Sequence, residues 1–167
     1  MILAVDVAYR DGTAFIAGIA FDCWHDAKEK AIFTSRLDNP EEYVPGQFYR
    51  RELPCILKLL IEHSLVPNTI VIDGLVYLDG KSEPGLGKYL YDALRGHISV
   101  LGVAKTPFER IPRDCDLYRG NSKKPLHVTS AGLPLADAKN CIQSMHGHYR
   151  IPTLLKKVDR IAKTMPS

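Results

Sequence analysis

The sequence predicts an α/β fold with a mixed central sheet and helices on both faces of that sheet. Three strand-like segments open the chain, buried strand-like segments then alternate with helical ones, and two helical segments close it. The chain has 167 residues, 46% of them hydrophobic, which is enough for one sizeable core and too little to favour two domains. We therefore expect a single domain over residues 1–167.

The first three elements are predicted to be antiparallel strands. Residues 2–8 and 13–20 are apolar and rich in strand-forming side chains, and Asp11-Gly12 between them is a turn signal. Residues 30–37 form a third strand that ends at Asp38-Asn39-Pro40.

Helices and strands alternate over the rest of the chain. The spacing of leucines and isoleucines predicts a helix over residues 48–63, in which Pro54 suits only an early turn. Residues 107–124 are dense in Pro, Arg, Asp and Gly and are expected to be irregular. The other predictions are strands over 69–74, 100–104 and 126–129, and helices over 84–95, 135–145 and 151–163.

Three acidic residues fall on this framework at related places. Asp6 lies on the first strand, Glu52 on the first helix and Asp73 at the end of the fourth strand. This order of elements and acids suggests the ribonuclease H-like architecture, in which the first and fourth strands lie side by side. Carboxylates that close repel each other, and a bound hard cation removes the repulsion. Oxygen ligation favours Mg²⁺, with Mn²⁺ as a substitute, over zinc.

Each of these acids alone has an ordinary structural explanation. Asp6 interrupts an apolar strand and could have a buried partner. Asp73 precedes Gly74, where a turn-forming aspartate is common, and Glu52 could lie on a solvated helix face. Only the three together predict a metal site.

A longer motif identifies a family. Residues 43–54 read Tyr-Val-Pro-Gly-Gln-Phe-Tyr-Arg-Arg-Glu-Leu-Pro and closely resemble the endonuclease V motif, in which a Tyr-x-Pro-Gly turn precedes a helix with a metal-binding glutamate. Further segments are similar to that family and follow in its order over nearly the whole chain: Val5-Asp6-Val7, Ile72-Asp73-Gly74, Gly102-Val103-Ala104-Lys105 and Tyr149-Arg150-Ile151-Pro152.

The resemblance implies a role for each matching residue. Asp6, Glu52, Asp73 and Asp159 become metal ligands or organisers of the attacking water, and Lys105 meets the scissile phosphate or orients the water. In addition, Tyr43, Pro45 and Gly46 form a wedge that fills the gap left by an extruded base, and Gly74 contributes to nucleic-acid binding. The implied activity is Mg²⁺-dependent hydrolysis of DNA or RNA one nucleotide 3′ of a deaminated base such as inosine.

The loop after Asp73 departs from the family pattern. The family has Gly-x-Gly-x-x-His-Pro-Arg there, whereas this chain continues Gly74-Leu75-Val76-Tyr77. Glycine lets the backbone approach a base closely, and a β-branched Val76 would restrict that approach. We therefore expect a reduced preference for inosine.

Two other classes of function remain open from the residues alone. One is a catalytically inactive nucleic-acid-binding relative with the same fold. The other is one half of a sugar-kinase or actin-like phosphotransferase, although such proteins need glycine-rich phosphate hairpins and two lobes. The formal net charge of +3 is too small to indicate a nucleic-acid partner by itself.

The spacing of the cysteines and histidines along the sequence does not predict a further metal site. The four cysteines form no Cys-x-x-Cys pair, and buried free thiols are the expected explanation. His146-Gly147-His148 is expected to be a surface turn. The first residues lack the features of a signal peptide or membrane span, and we expect a cytoplasmic protein without organic cofactor or membrane partner.

Overall fold

The computed structural model describes residues 1–47 and 49–167, so the predicted helix start at Phe48 lies outside the described residues. The strands are β1 (Ile2–Arg10), β2 (Thr13–Phe21), β3 (Ala31–Asp38), β4 (Thr69–Asp73), β5 (Ser99–Ala104), β6 (Asp116–Leu117) and β7 (Leu126–Ala131). The α-helices are α1 (Tyr49–Glu62), α2 (Leu86–Ala93), α3 (Leu135–Ser144) and α4 (Thr153–Thr164). No helix within the described residues is both long and apolar enough to cross a membrane.

The seven strands form one mixed sheet in the order β3-β2-β1-β4-β5-β7-β6. The strands β1, β4 and β5 are parallel to one another, while β2, β3 and β7 pair antiparallel with their neighbours. Val5 of β1 lies opposite Ile72 of β4. The predicted adjacency of the first and fourth strands is therefore confirmed, and Asp6 and Asp73 follow side by side.

Helices cover both faces of the sheet, as predicted. Side chains alternate between the two faces of each strand. One face carries Leu3, Val5, Ile70 and Ile72 and packs against α1 and α2. The other face carries Ile2, Ala4, Val71 and Leu101 and packs against α3 and α4. Asp6 and Asp73 continue the second series, so both carboxylates lie on the α4 side of the sheet.

Two details differ from the sequence prediction. Pro54 is the sixth residue of α1, beyond the first turn, where it removes one backbone donor from the helix. Its ring is exposed, and the buried Cys55, Ile56 and Leu59 keep the helix on the sheet. The segment predicted as irregular contains a short 3₁₀ turn at Arg113–Cys115, followed by β6.

A buried guanidinium fixes the chain before α4. Arg119 is 3% exposed and donates hydrogen bonds to the carbonyls of Met145, Gly147 and Tyr149 over 2.6–3.2 Å. The neighbouring Gly120 has φ +59, and a Cβ there would lie 2.2 Å from the carbonyl oxygen of His148. The Arg119 hydrogen bonds and the close approach of Gly120 to His148 together hold the segment that leads into α4.

We expect Gly120→Ala to lower the free energy of unfolding by about 3 kcal/mol or more, because backbone strain and the overlap with the His148 carbonyl add together. Gly12→Ala is the matched control, since Gly12 has φ +74 and its Cβ would meet nothing within 4 Å. Urea unfolding should give the control a loss of only about 1 kcal/mol. Equal losses in the two variants would contradict a close approach at Gly120.

Candidate active site

Acidic side chains from β1, β4 and α4 meet beside the sheet. Asp6 is 7% exposed, and its Oδ1 accepts a hydrogen bond of 2.8 Å from the backbone N–H of Val7. Asp159 projects from α4 and shares a hydrogen bond with the Asp6 carboxyl group. Asp73, at the end of β4, is close enough for its charge to act on Asp6. Three of the four predicted acids thus come together on one face.

Glu52 joins this group from the other face of the sheet. It lies in the first turn of α1, and its carboxylate feels the charges of Asp6 and Asp73. Burial, followed by these two charges, raises the pKa of Glu52 to about 8. The carboxylate of Glu52 is therefore close enough to Asp6 and Asp73 for their charges to raise its pKa.

Two lysines border the carboxylates. The Nζ of Lys105, just after β5, lies 3.9 Å from Oδ2 of Asp73 and 4.0 Å from Oδ1 of Asp159. The Nζ of Lys163, one turn along α4, lies 3.0 Å from the other oxygen of Asp159. Burial alone would raise the pKa of Asp159, but the hydrogen bond with Asp6 and the Lys163 ammonium lower it.

The donor set fits a hard divalent cation. Burial and the charge of Asp73 raise the pKa of Asp6 to about 8, so without a cation this carboxyl holds its proton at neutral pH. Among the described residues, no three of these carboxylates bring their oxygens within 4.8 Å of one another. A cation that accepts only oxygen ligands would supply the positive charge that lets the four acids ionise and approach. Asp6, Glu52 and Asp73 are the residues predicted to hold such a cation.

The Tyr43 segment forms a turn at the edge of this site. The backbone N–H of Gln47 donates to the carbonyl of Val44 over 2.8 Å, and Gly46 has φ +78. Proline and then glycine with positive φ at the two central positions are typical of a type II turn. The turn leaves the Tyr43 side chain 57% exposed. Tyr43 also lines a pocket with Tyr9, Arg51 and Glu52.

A cleft of about 360 Å³ is bordered by Asp73 and Lys105. Leu75, Leu78 and Phe108 contribute apolar surface to it. Val76, expected to restrict approach to the base, does not line this cleft. Its side chain is fully buried against Gly87 of α2, because Leu75 and Val76 point to opposite sides of the chain. The prediction that the Val76 side chain restricts approach to the base is therefore wrong.

A larger groove of about 690 Å³ continues from Lys105. Arg113, Lys124 and Arg150 supply positive charge along it, and Tyr118, 56% exposed, supplies an aromatic face. Cations that alternate with an aromatic ring are typical of surfaces that follow a nucleic-acid strand.

Comparison with known proteins identifies the chain. No protein-family model matches it. Endonuclease V from Streptomyces coelicolor is 33% identical over 129 residues, which make up 72% of this chain and 51% of that protein. The chain belongs to the endonuclease V family. The match spans about half the length of that relative.

Solved endonuclease V structures share the fold. The Streptomyces avermitilis enzyme is 26% identical with a TM-score of 0.77, and the superposition covers 97% of this chain and 79% of that one. The Ciona intestinalis enzyme is 18% identical with a TM-score of 0.78, covering 97% and 84%. That structure is a complex with a 24mer DNA that contains an inosine followed by a ribo-adenosine. The ribonuclease H-like fold is confirmed.

The sequence analysis missed three residues that border an endonuclease V carboxylate or hold the chain around the site. Lys163 lies four residues after Asp159, a spacing that brings helical side chains together and could have revealed it. Arg150, inside the Tyr-Arg-Ile-Pro segment, donates to the carbonyls of Lys105 and Pro125 and so fixes the chain that carries Lys105. The Thr129 hydroxyl accepts the backbone N–H of Val76, a contact that no local pattern signals.

Proposed function

We propose that this endonuclease V relative is a metal-dependent endonuclease that hydrolyses a phosphodiester bond 3′ to a deaminated base, such as inosine, in DNA or RNA. The observation that carries the proposal is the meeting of Asp6, Glu52, Asp73 and Asp159 with Lys105, each from a different element of the fold. The inosine-containing DNA bound by the Ciona intestinalis enzyme supports the substrate class.

Each residue of the site has a distinct task in this reaction. Asp6, Glu52 and Asp73 would hold the cation, with Mg²⁺ as the proposed ion and Mn²⁺ as a substitute. When bound, Mg²⁺ would supply Lewis acidity to the attacking water and to the leaving 3′ oxygen. Asp159 orients that water, and the Lys163 ammonium beside its carboxylate lowers its pKa. The Lys105 ammonium faces the scissile phosphate, and the products carry 3′-hydroxyl and 5′-phosphate ends.

The clefts on both sides of the acids suit an extruded base. Tyr43, held outward by the Pro45-Gly46 turn, fills the gap in the stack. The base enters the cleft formed by Leu75, Leu78 and Phe108, where Gly74 leaves room beside Asp73. The strand beyond the cut follows the groove lined by Lys124 and Tyr118. We place the reaction in the cytoplasm, where free cysteines stay reduced.

The alternative, a catalytically inactive nucleic-acid-binding relative, is less favoured. Binding a strand requires cations and aromatic surfaces and gains nothing from carboxylates. Asp6 and Glu52 have pKa values raised to about 8, a sign that the fold holds both acids where their charged forms are disfavoured. Such an arrangement is common at catalytic and metal-binding sites.

The test is cleavage of matched oligonucleotides with and without inosine, as single-stranded DNA and as RNA, in Mg²⁺ and in EDTA. Cleavage one nucleotide 3′ of inosine, present only with Mg²⁺, is the expected result. If inosine-containing strands bind but stay intact in Mg²⁺ and Mn²⁺, the inactive relative is the correct description. If neither strand binds, the nucleic-acid function fails altogether.

We expect Phe108→Ala to lower the preference for inosine over undamaged strands. Phe108 lines the cleft beside Asp73 and is 37% exposed, so its ring is available to stack on a base. Loss of one stacking contact should reduce kcat/KM for the inosine strand about tenfold and change cleavage of undamaged strands little. Tyr118→Ala, in the adjoining groove, is the control and should weaken both substrates alike. Equal effects of the two variants on the ratio would place the base elsewhere.

A further inference from the structure

A second group of metal-ligating side chains lies in the loop between β2 and β3. Cys23, His25 and Asp26 each bring one ligand atom within 4.8 Å of the other two. Phe21, which precedes this loop, pairs with Ile2 at the start of β1. Asp6 lies four residues further along β1, and Asp73 lies at the far end of the neighbouring β4. This group is therefore separate from the proposed nuclease site.

The loop is held in shape without a ligand. Trp24 packs edge-on against the buried Phe21, with ring centroids 6.1 Å apart. The Oδ2 of Asp26 accepts the backbone N–H groups of Asp22 at 3.2 Å and Cys23 at 2.9 Å. The backbone N–H of Asp26 in turn donates to the carbonyl of Cys23 over 3.0 Å. The fold thus fixes the backbone that carries the three ligands.

Two lysines beside the loop are already engaged in ion pairs. Lys30 pairs with Asp22 at 2.7 Å, and Lys157 of α4 pairs with Glu29 at 2.7 Å. Within the hydrogen bonds of the described residues, the Cys23 sulfur, the His25 ring and Oδ1 of Asp26 take no part. These three atoms are available to an added ligand.

We propose that Cys23, His25 and Asp26 bind one zinc-class divalent ion per chain. A thiolate and an imidazole select Zn²⁺ or Co²⁺ over Mg²⁺, while the carboxylate completes three protein ligands. Cys23 and His25 are exposed, so a water molecule takes the fourth tetrahedral position. The expectation that the cysteines are buried is wrong for Cys23, because the turn closed by Asp26 directs it to solvent.

The nuclease and this site would therefore hold different metals. The four acids offer only oxygen and suit Mg²⁺, whereas the β2–β3 loop offers sulfur, nitrogen and oxygen. The second site stabilises the loop and takes no part in cleavage. It also stands if the proposed nuclease function fails.

The test is titration of the reduced, full-length chain with Co²⁺ in excess Mg²⁺, followed by absorption. The expected result is a thiolate-to-cobalt charge-transfer band that saturates at one ion per chain and disappears when Zn²⁺ is added. Cys23→Ser should remove this band, and His25→Ala should weaken Zn²⁺ binding more than about 100-fold, since even an outer hydrogen-bond partner contributes about 10–100-fold.

Two exposed or partly exposed residues of the same types provide matched controls. Cys141→Ser and His97→Ala lie outside the loop and should leave the band and the Zn²⁺ affinity unchanged. Cleavage in Mg²⁺ alone should be the same for Cys23→Ser and the unaltered chain. The proposal is overturned if no charge-transfer band forms, if Cys23→Ser retains it, or if it saturates at one ion per two chains.

Discussion

Asp6→Asn should abolish cleavage while leaving the protein folded. The carboxylate lies at the centre of the cluster, where it faces Asp73 and Asp159. Asparagine keeps the size of the side chain, and its amide oxygen can still accept the Val7 N–H while its amide group donates to Asp159. It cannot supply the negative charge that the cation needs. We expect a loss of about a thousandfold or more in kcat in Mg²⁺.

The same variant should be more stable than the unaltered chain without metal at pH 8. Asp6 has a pKa raised from 3.8 to about 8, so the folded state holds a proton that the unfolded state has released. Stability from this group is full below pH 4 and is lost as the pH rises towards 8. Asparagine does not ionise, so the variant avoids this loss of stability. Its melting temperature should therefore exceed that of the unaltered chain by more at pH 8 than at pH 5.

Asp38→Asn is the control, since Asp38 is exposed on β3. It should leave cleavage and the pH dependence of stability unchanged. If Asp6→Asn unfolds the protein at all pH values, the acid serves as a structural partner in the core, and the metal-site interpretation is wrong.

Lys105→Met should lower kcat about 100-fold or more and change KM much less. The Lys105 ammonium lies between Asp73 and Asp159. The proposed mechanism places the scissile phosphate there, and a positive charge would stabilise the charge that develops on it. Methionine retains most of the side-chain length and the packing of the stem but removes the charge. Single-turnover cleavage of an inosine strand, with Mn²⁺ affinity measured in parallel, separates these effects.

Lys105→Arg should recover part of the lost rate, because a positive charge is restored with a different shape. Lys81→Met, on an exposed loop, is the control for loss of one positive charge and should behave like the unaltered chain. If Lys105→Met lowers Mn²⁺ affinity and kcat is restored by saturating metal, Lys105 is a positioning residue for the carboxylates and does not act on the phosphate.

Local patterns were sufficient to predict most of the fold. The three opening strands, the helical period after residue 48 and the buried segment ending at Asp73 all correspond to observed elements. The neighbouring positions of Asp6 and Asp73 follow from strand pairing, which the order of elements predicts. The place of Pro54 beyond the first turn of α1 was less predictable, since tertiary packing of Cys55 and Ile56 outweighs the cost of the proline.

Features that depend on long-range contacts were not predictable. Val76 reads as a residue facing the substrate until its packing against Gly87 is seen. The buried Arg119 resembles any basic residue of an irregular segment, although it fixes the chain before α4. The group of Cys23, His25 and Asp26 is local, but it was missed because its spacing does not match that usual for zinc ligands and the turn at Asp26 was not predicted.

The central claim is that acids from β1, α1 and β4 form one metal site. Its most direct test is the affinity for Mn²⁺ measured by calorimetry. Asp73→Asn is the informative variant, because Asp73 lies beside Asp6 on the neighbouring strand and faces Lys105. The account predicts Mn²⁺ binding by the unaltered chain and by Asp38→Asn, with a loss of more than about tenfold in affinity for Asp73→Asn. Equal Mn²⁺ affinity for all three proteins would contradict it.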